Sequence, residues 1–168
     1  MKKTYYLLFI AVLIINACQQ NKETPAIDAT AEKDSIAKNL DAMYSAYTKK
    51  DANTFASFLT EDCLYCGTDS REFWDKKGYT ELLNKISADT TYRAPTFKLF
   101  KREIRLDKSG NSAVVVDQLF VSDWTDKLPL RNVTHHIKTD NKWMVDFLSM
   151  SMAPNNEDLE KLFHAVAE

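Results

Sequence analysis

The chain has 168 residues, 22 basic and 24 acidic side chains, and an aromatic content of three Trp, seven Tyr and nine Phe. A near-balanced charge without a basic stripe lacks the electrostatic footprint of a nucleic-acid binder, so that partner class is set aside. No internal repeat or low-complexity block interrupts the chain, and its length suits one domain with a single core.

Lys2 and Lys3 precede an almost unbroken apolar run from Tyr5 to Ile15, closed by Ala17-Cys18. Charged, apolar and small residues in that order make a secretory signal. The run is too short for a membrane span, which needs about 20 apolar residues. Ile15-Asn16-Ala17-Cys18 resembles a lipobox, which implies cleavage before Cys18 and lipidation of its thiol. Each acyl chain then contributes about 0.8 kcal/mol per buried methylene to membrane anchoring. Gln19 to Glu32 is polar, contains Pro25 and has no helical or strand period, as expected of a tether. The expected organisation is a signal over 1–17, a lipid-anchored linker over 18–30 and one folded domain over 31–168. Because Gln19 rather than aspartate follows the cysteine, the expected location is the cell envelope at the outer membrane. Without Lys2 and Lys3 the mature chain keeps 20 basic against 24 acidic residues, a net charge of about −4.

Ile36, Leu40, Met43 and Tyr47 recur at spacings of four, three and four, which predicts an amphipathic helix over 31–50. Asp51 can cap a second helix over 52–59, and Glu61-Asp62 leads into a strand through Cys63 and Cys66 that ends at Gly67. A third helix is predicted over 75–87, burying Tyr79, Leu82, Leu83 and Ile86. The period then changes to two, predicting strands over 95–107, 112–124, 129–139 and 142–152. Lys108-Ser109-Gly110-Asn111 and Asp140-Asn141 supply the turns of an antiparallel meander. Asn155-Asn156 offers a cap for a last helix carrying Leu159, Leu162, Phe163 and Val166, which can fold back on the sheet. Helices first and a long curved sheet after them define an α+β fold with helices on one sheet face.

Strand 112–124 is apolar on both sides, with Ala113, Val115, Leu119 and Val121 on one and Val114, Val116 and Phe120 on the other. Strand 142–152 reads similarly, with Trp143, Val145 and Phe147 opposed to Met144, Leu148, Met150 and Met152. The face that helices leave bare needs a second cover, and a homodimer is the expected one, with the terminal helix as the competitor.

Two segments carry a family resemblance. Phe58-Leu59-Thr60-Glu61-Asp62-Cys63 with Gly67-Thr68-Asp69-Ser70-Arg71-Glu72-Phe73-Trp74, and Trp143-Met144-Val145 with Ser151, are similar to the SnoaL-like branch of the nuclear transport factor 2-like superfamily. The resemblance covers roughly 33–153 and implies an α+β cone with an internal cavity. It leaves function open, because this fold hosts isomerases, cyclases, dehydratases and transport adaptors. Ser149 stands where many such relatives are expected to carry a pocket histidine. Ketosteroid isomerase-like members place an oxyanion-binding Tyr and a general-base Asp where this chain has Met43 and Gly67, which removes that mechanism.

Asp117 lies on an otherwise apolar strand face, where a carboxylate must be paired or put to use, so it is a candidate pocket acid. His135 and His136 are adjacent on a strand and face opposite ways. A two-residue turn at Asp140-Asn141 sets His135 opposite Asp146 and His136 opposite Val145, which offers a His135–Asp146 dyad but also marks His136 as the inward ring. Tyr44, Tyr47 and Trp74 are candidate aromatic walls. Asp69 and Glu72 flank the turn before the third helix, as braces or as ligand contacts. Cys63 and Cys66, three apart on a strand, read as two separate thiols rather than a redox or zinc pair. No cofactor or metal motif is present. The expected function is binding of a small, largely apolar molecule in the cone. Alternatives are a lyase- or isomerase-type enzyme using Asp117 with His135 or His136, and a structural dimer.

Overall fold

The computed structural model describes residues 27–122, 124 and 128–167. The export segment, Cys18 and the linker up to residue 26 lie outside the described residues.

Helix α1, Ala29–Thr48, starts two residues earlier than the apolar spacing predicts, because the Asp28 side chain accepts from the Thr30 and Ala31 amides at 3.1 Å. Such a cap satisfies donors that a helix start leaves orphaned. Ile36, Leu40 and Met43 are buried, as their stripe requires. Helix α2, Ala52–Ala56, is capped by Asp51 on the Thr54 amide at 2.9 Å. It is shorter than predicted because Phe58 already joins the sheet, its carbonyl accepting from the Val145 amide at 2.8 Å.

Strand β1, Leu59–Cys66, is followed by β2, Phe73–Asp75, a short strand that periodicity does not reveal. Asp75 then caps α3, Lys76–Ala88, accepting from the Gly78 amide at 2.7 Å. The meander follows as β3 Phe97–Leu106, β4 Ser112–Val121, β5 Leu130–Thr139 and β6 Lys142–Met152. Asp140 and Asn141 both have positive φ, 50° and 63°, the mirror-image turn that matches strand twist. The sheet order is β2-β1-β6-β5-β4-β3, antiparallel except where β1 runs parallel to β6.

The helices cover the face that carries Ala113, Val115, Leu119 and Val121, and these join Leu59, Cys63, Trp143 and Leu148 in one core. On β6 the predicted alternation fails at a bulge. His136 pairs with Val145 but His135 pairs with Phe147, leaving Asp146 as the extra residue. Inward residues therefore run Trp143, Val145, Leu148, Met150, whereas Phe147 and Ser149 turn outward. A second bulge, at Phe100 on β3, moves Arg102 onto the inner face opposite Asp117.

The last helix, α4 Leu159–Ala167, follows a 3-10 turn over Asn156–Asp158 and buries none of its side chains. Phe163 is 65% and Val166 82% exposed, so this helix, the competitor to a homodimer as cover, does not pack on the sheet.

Candidate functional site

Between α1, α3 and the inner face of the sheet lies a cavity of about 300 Å³, at the small end of the range for ligand pockets. Its wall is a chain of rings. Tyr44 and Tyr47 each tilt against Phe97 with centroids 5.3 and 5.6 Å apart, Tyr47 meets Phe55 edge-on at 6.2 Å, Phe55 meets Tyr79 at 5.4 Å, and Tyr79 stacks on Tyr65 at 3.7 Å. Offset and edge contacts of this kind add about 0.5–1.5 kcal/mol per pair beyond burial, so the wall is held rigidly. Met43, Leu82, Ile86, Leu130 and Met150 add aliphatic and thioether surface, and Trp124 is also among the lining residues.

Burial drives four of the wall hydroxyls away from ionisation. Tyr65 is pushed up to about 12, and Tyr44, Tyr47 and Tyr79 lie above the usual phenol range. At neutral pH these groups are neutral donors and acceptors rather than bases. Tyr47 and Tyr92 place their hydroxyls 3.3 Å apart. Glu72 is the one carboxylate among the described lining residues, and no lysine, arginine or histidine is among them. Its Oε2 accepts from the Asp69 amide at 3.0 Å, and its side chain lies directly against Gly67, where a Cβ would overlap the carboxylate. Gly67 is thus the residue that makes room for Glu72.

Asp117 is not a cavity acid. It is 1% exposed, and Arg102 Nε and Nη2 donate to Oδ1 and Oδ2 at 2.8 Å each, while the Tyr44 hydroxyl donates to Oδ2 at 2.9 Å. Asn132 Nδ2 donates in turn to that hydroxyl at 2.7 Å. Arg102 also reaches Asp41 at 3.0 Å and the Ala37 carbonyl at 3.2 Å. Burial opposes its charge, but the Asp117 and Asp41 carboxylates outweigh it and hold the guanidinium above its usual pKa. The network fixes α1 to β3 and β4, and it orients Tyr44 at the cavity wall. Arg102 escaped sequence reasoning because strict alternation from Phe97 points it outward; only the Phe100 bulge reverses that.

His136 faces inward, with Nε2 2.8 Å from Thr134 Oγ1, yet it is not among the lining residues. Burial, aided by His135 and Arg102, lowers it to about 4, so the ring is neutral at physiological pH. His135 faces the opposite side of the sheet. Its Nδ1 is 2.6 Å from Asp146 Oδ1 and its Nε2 is 2.9 Å from Ser112 Oγ, a serine–histidine–carboxylate chain in hydrogen-bond order. Acyl transfer also needs donors aimed at a developing oxyanion. Here the Asn111 and Ser112 amides are both spent on Asp107 Oδ1, at 3.0 and 3.1 Å. Neither histidine contacts Asp117, and the His–Asp contact that does form lies outside the cavity. The expected Asp117–His acid–base pair is therefore not assembled.

Of the predicted walls, Tyr44 and Tyr47 line the cavity and Trp74 does not; its ring packs on Gly78 at the β2–α3 junction. Met43 and Gly67, the positions compared with ketosteroid isomerase, both line it. Ser149 is on the outer face and Met150 takes the inner position. Cys63 is buried and Cys66 half-buried, both as free thiols, with burial pushing the Cys63 thiol up to about 12. Trp143, part of the resemblance, serves as a brace: its indole N–H donates to Glu32 at 2.8 Å, and Lys138 joins the same carboxylate at 2.6 Å. Hydrogen bonds from Lys138 and Trp143 hold Glu32 below the usual carboxylate range.

Helices packed on a six-stranded curved sheet around an end cavity define an NTF2-like cone, and solved structures agree. An NTF2-like protein of unknown function from Pseudomonas putida KT2440 aligns over 77% of this chain and 92% of its own, with a TM-score of 0.62 and 15% identity. A cystatin-like-fold domain of unknown function from Nostoc punctiforme PCC 73102 aligns over 83% and 88%, with a TM-score of 0.67 and 16% identity. At such identities the likeness is one of fold. The SnoaL-like domain family model matches residues 36–155, and the chain belongs to that family. No curated protein matches it.

Proposed function

We propose that this protein is a lipid-anchored envelope protein whose SnoaL-like domain binds a small, largely apolar molecule in the end of the cone. One observation carries the binding reading: a cavity of about 300 Å³ lined by an aromatic wall, whose polar groups among the described residues are hydroxyls and one carboxylate. That is the composition of a site that recognises shape and apolar surface and orients its ligand by a few polar contacts. The mature chain with Cys18→Ser, titrated with the neutral fluorophore N-phenyl-1-naphthylamine, should show saturable enhancement. Leu82→Trp, which places an indole in the cavity, should abolish it. Enhancement that does not saturate, or that survives in a folded Leu82→Trp protein, would rule the reading out.

The anchor rests on the sequence Lys2-Lys3, the apolar run and Ala17-Cys18. Cys18→Ser in the full precursor should end incorporation of labelled fatty acid and release the domain from outer-membrane fractions; unchanged labelling overturns it.

A homodimer through the outer sheet face is the third part of this reading. Val114 is 41% and Phe100 48% exposed there, and the bare apolar stripe of α4 offers a partner the complementary cover. Sedimentation of the unlipidated mature chain at micromolar concentration should give twice the monomer mass, and a stable monomer refutes it.

A further inference from the structure

From the charge and chemistry of the lining we infer that the ligand is an organic cation with an apolar body, such as an aryl- or alkyl-ammonium, held by the aromatic wall with Glu72 as its counter-charge. This deepens the small-molecule reading above and rests on it. The described lining carries one formal charge, the Glu72 carboxylate, and no basic side chain. An anionic ligand would meet like charge in a partly desolvated space, where electrostatic terms are stronger than in water. A neutral ligand would leave the carboxylate uncompensated. A cation satisfies Glu72 and also gains from ring faces, whose quadrupoles attract positive charge within about 6 Å of a centroid.

Glu72 is placed for this role by the backbone, and no described residue forms a salt bridge with it. Gly67 gives its side chain room, the Asp69 amide holds Oε2 at 3.0 Å, and Arg71 beside it is spent on Asp69 through bonds of 2.8 and 2.9 Å. Its charge reaches the wall: after burial, Glu72 is among the causes that raise Tyr47, Tyr65 and Tyr79. Tyr92 already has a cation near its ring, with Lys50 Nζ 5.5 Å from the centroid.

The test uses benzyltrimethylammonium and neopentylbenzene, which share one shape and differ in charge. Each is titrated by calorimetry or Trp fluorescence into the mature Cys18→Ser chain and into the same chain with Glu72→Gln. The glutamine oxygen can still accept from the Asp69 amide, and unchanged thermal unfolding verifies the fold. The cation should bind the wild-type cavity roughly tenfold or more tightly than the neutral isostere, and Glu72→Gln should remove most of that preference while leaving neopentylbenzene unchanged. Equal binding of both compounds, or equal weakening of both by Glu72→Gln, overturns cation recognition and leaves the apolar-cavity reading standing. If neither compound binds and the neutral fluorophore also fails, both readings fall together.

Discussion

Replacing Asp117 with alanine separates a structural carboxylate from a functional one. The change leaves Arg102, whose side chain is 12% exposed, with only the solvent-facing Asp41 and the Ala37 carbonyl, and it removes the acceptor of the buried Tyr44 hydroxyl. Breaking a buried ion pair from one side costs about 3–5 kcal/mol, because the desolvated partner is left uncompensated. An orphaned hydroxyl costs about 1–3 kcal/mol, although the two losses overlap. A destabilisation of about 4 kcal/mol is expected, which lowers the midpoint of thermal unfolding by roughly 10–15 °C in a domain of this size. Urea unfolding of the mature chain, followed by Trp fluorescence, measures it. The companion Asp117→Ala/Arg102→Met removes the stranded cation and should recover at least about 1.5 kcal/mol, since a buried pair replaced on both sides by apolar groups is often close to neutral. A loss below about 1 kcal/mol, or a double variant that recovers nothing, would refute the network as a stabilising pair. Weakened ligand binding with unchanged stability would return Asp117 to the cavity.

Three further outcomes are expected. His136 has a folded pKa of about 4 against 6.5 for the free side chain, so the unfolded state binds its proton first as pH falls. Stability is full above pH 6.5 and lost on the way down to 4; wild type should lose up to about 3 kcal/mol more between pH 7 and pH 4 than His136→Gln in urea melts, and parallel losses contradict the assignment. Gly67→Ala drives a methyl into the Glu72 side chain, and the protein should lose about 1–3 kcal/mol together with its preference for benzyltrimethylammonium over neopentylbenzene; a variant as stable and as selective as wild type disproves the close approach. The Cys63 thiol, buried and pushed up to about 12, should resist iodoacetamide at pH 8 in the native state while half-buried Cys66 reacts faster, as peptide mass spectrometry would resolve; equal labelling counts against the burial of Cys63.

Sequence periodicity located the four principal strands to within three residues at their ends and the stripe of α1 through Ile36, Leu40 and Met43, because both are local patterns with a fixed repeat. The Asp140-Asn141 turn was equally legible, since its dihedrals follow from the residue types. The cavity was legible only in part. Tyr44 and Tyr47 share a helix face, but Tyr65, Tyr79 and Phe55 come from three other elements, and only tertiary packing makes them one wall. Glu72 was weighed as a brace or a ligand contact; the hydrogen bond to the Asp69 amide makes it a brace, and its place in the lining makes it a cavity group too. Asp117 stands out in the sequence as a carboxylate on an apolar strand face, yet its partner Arg102 is hidden by a bulge that leaves no signature in the hydrophobic pattern. Trp74 was misassigned because a Trp beside a family-like turn gives no sign of which side of α3 it will pack against.

The bulge at Asp146 makes strand register itself a determinant of cavity chemistry. Straightening the bulge with the sequence kept, so that Asp146 took the place opposite His135, would reverse every later side chain on β6 and offer Ser149 to the interior where Met150 now stands. A position-by-position comparison with a relative lacking that bulge would match outward residues to inward ones from residue 147 onward. Within such a fold, whether a bulge absorbs the extra residue near the strand centre decides if an apolar or a polar side chain lines the cavity, without any substitution at the site.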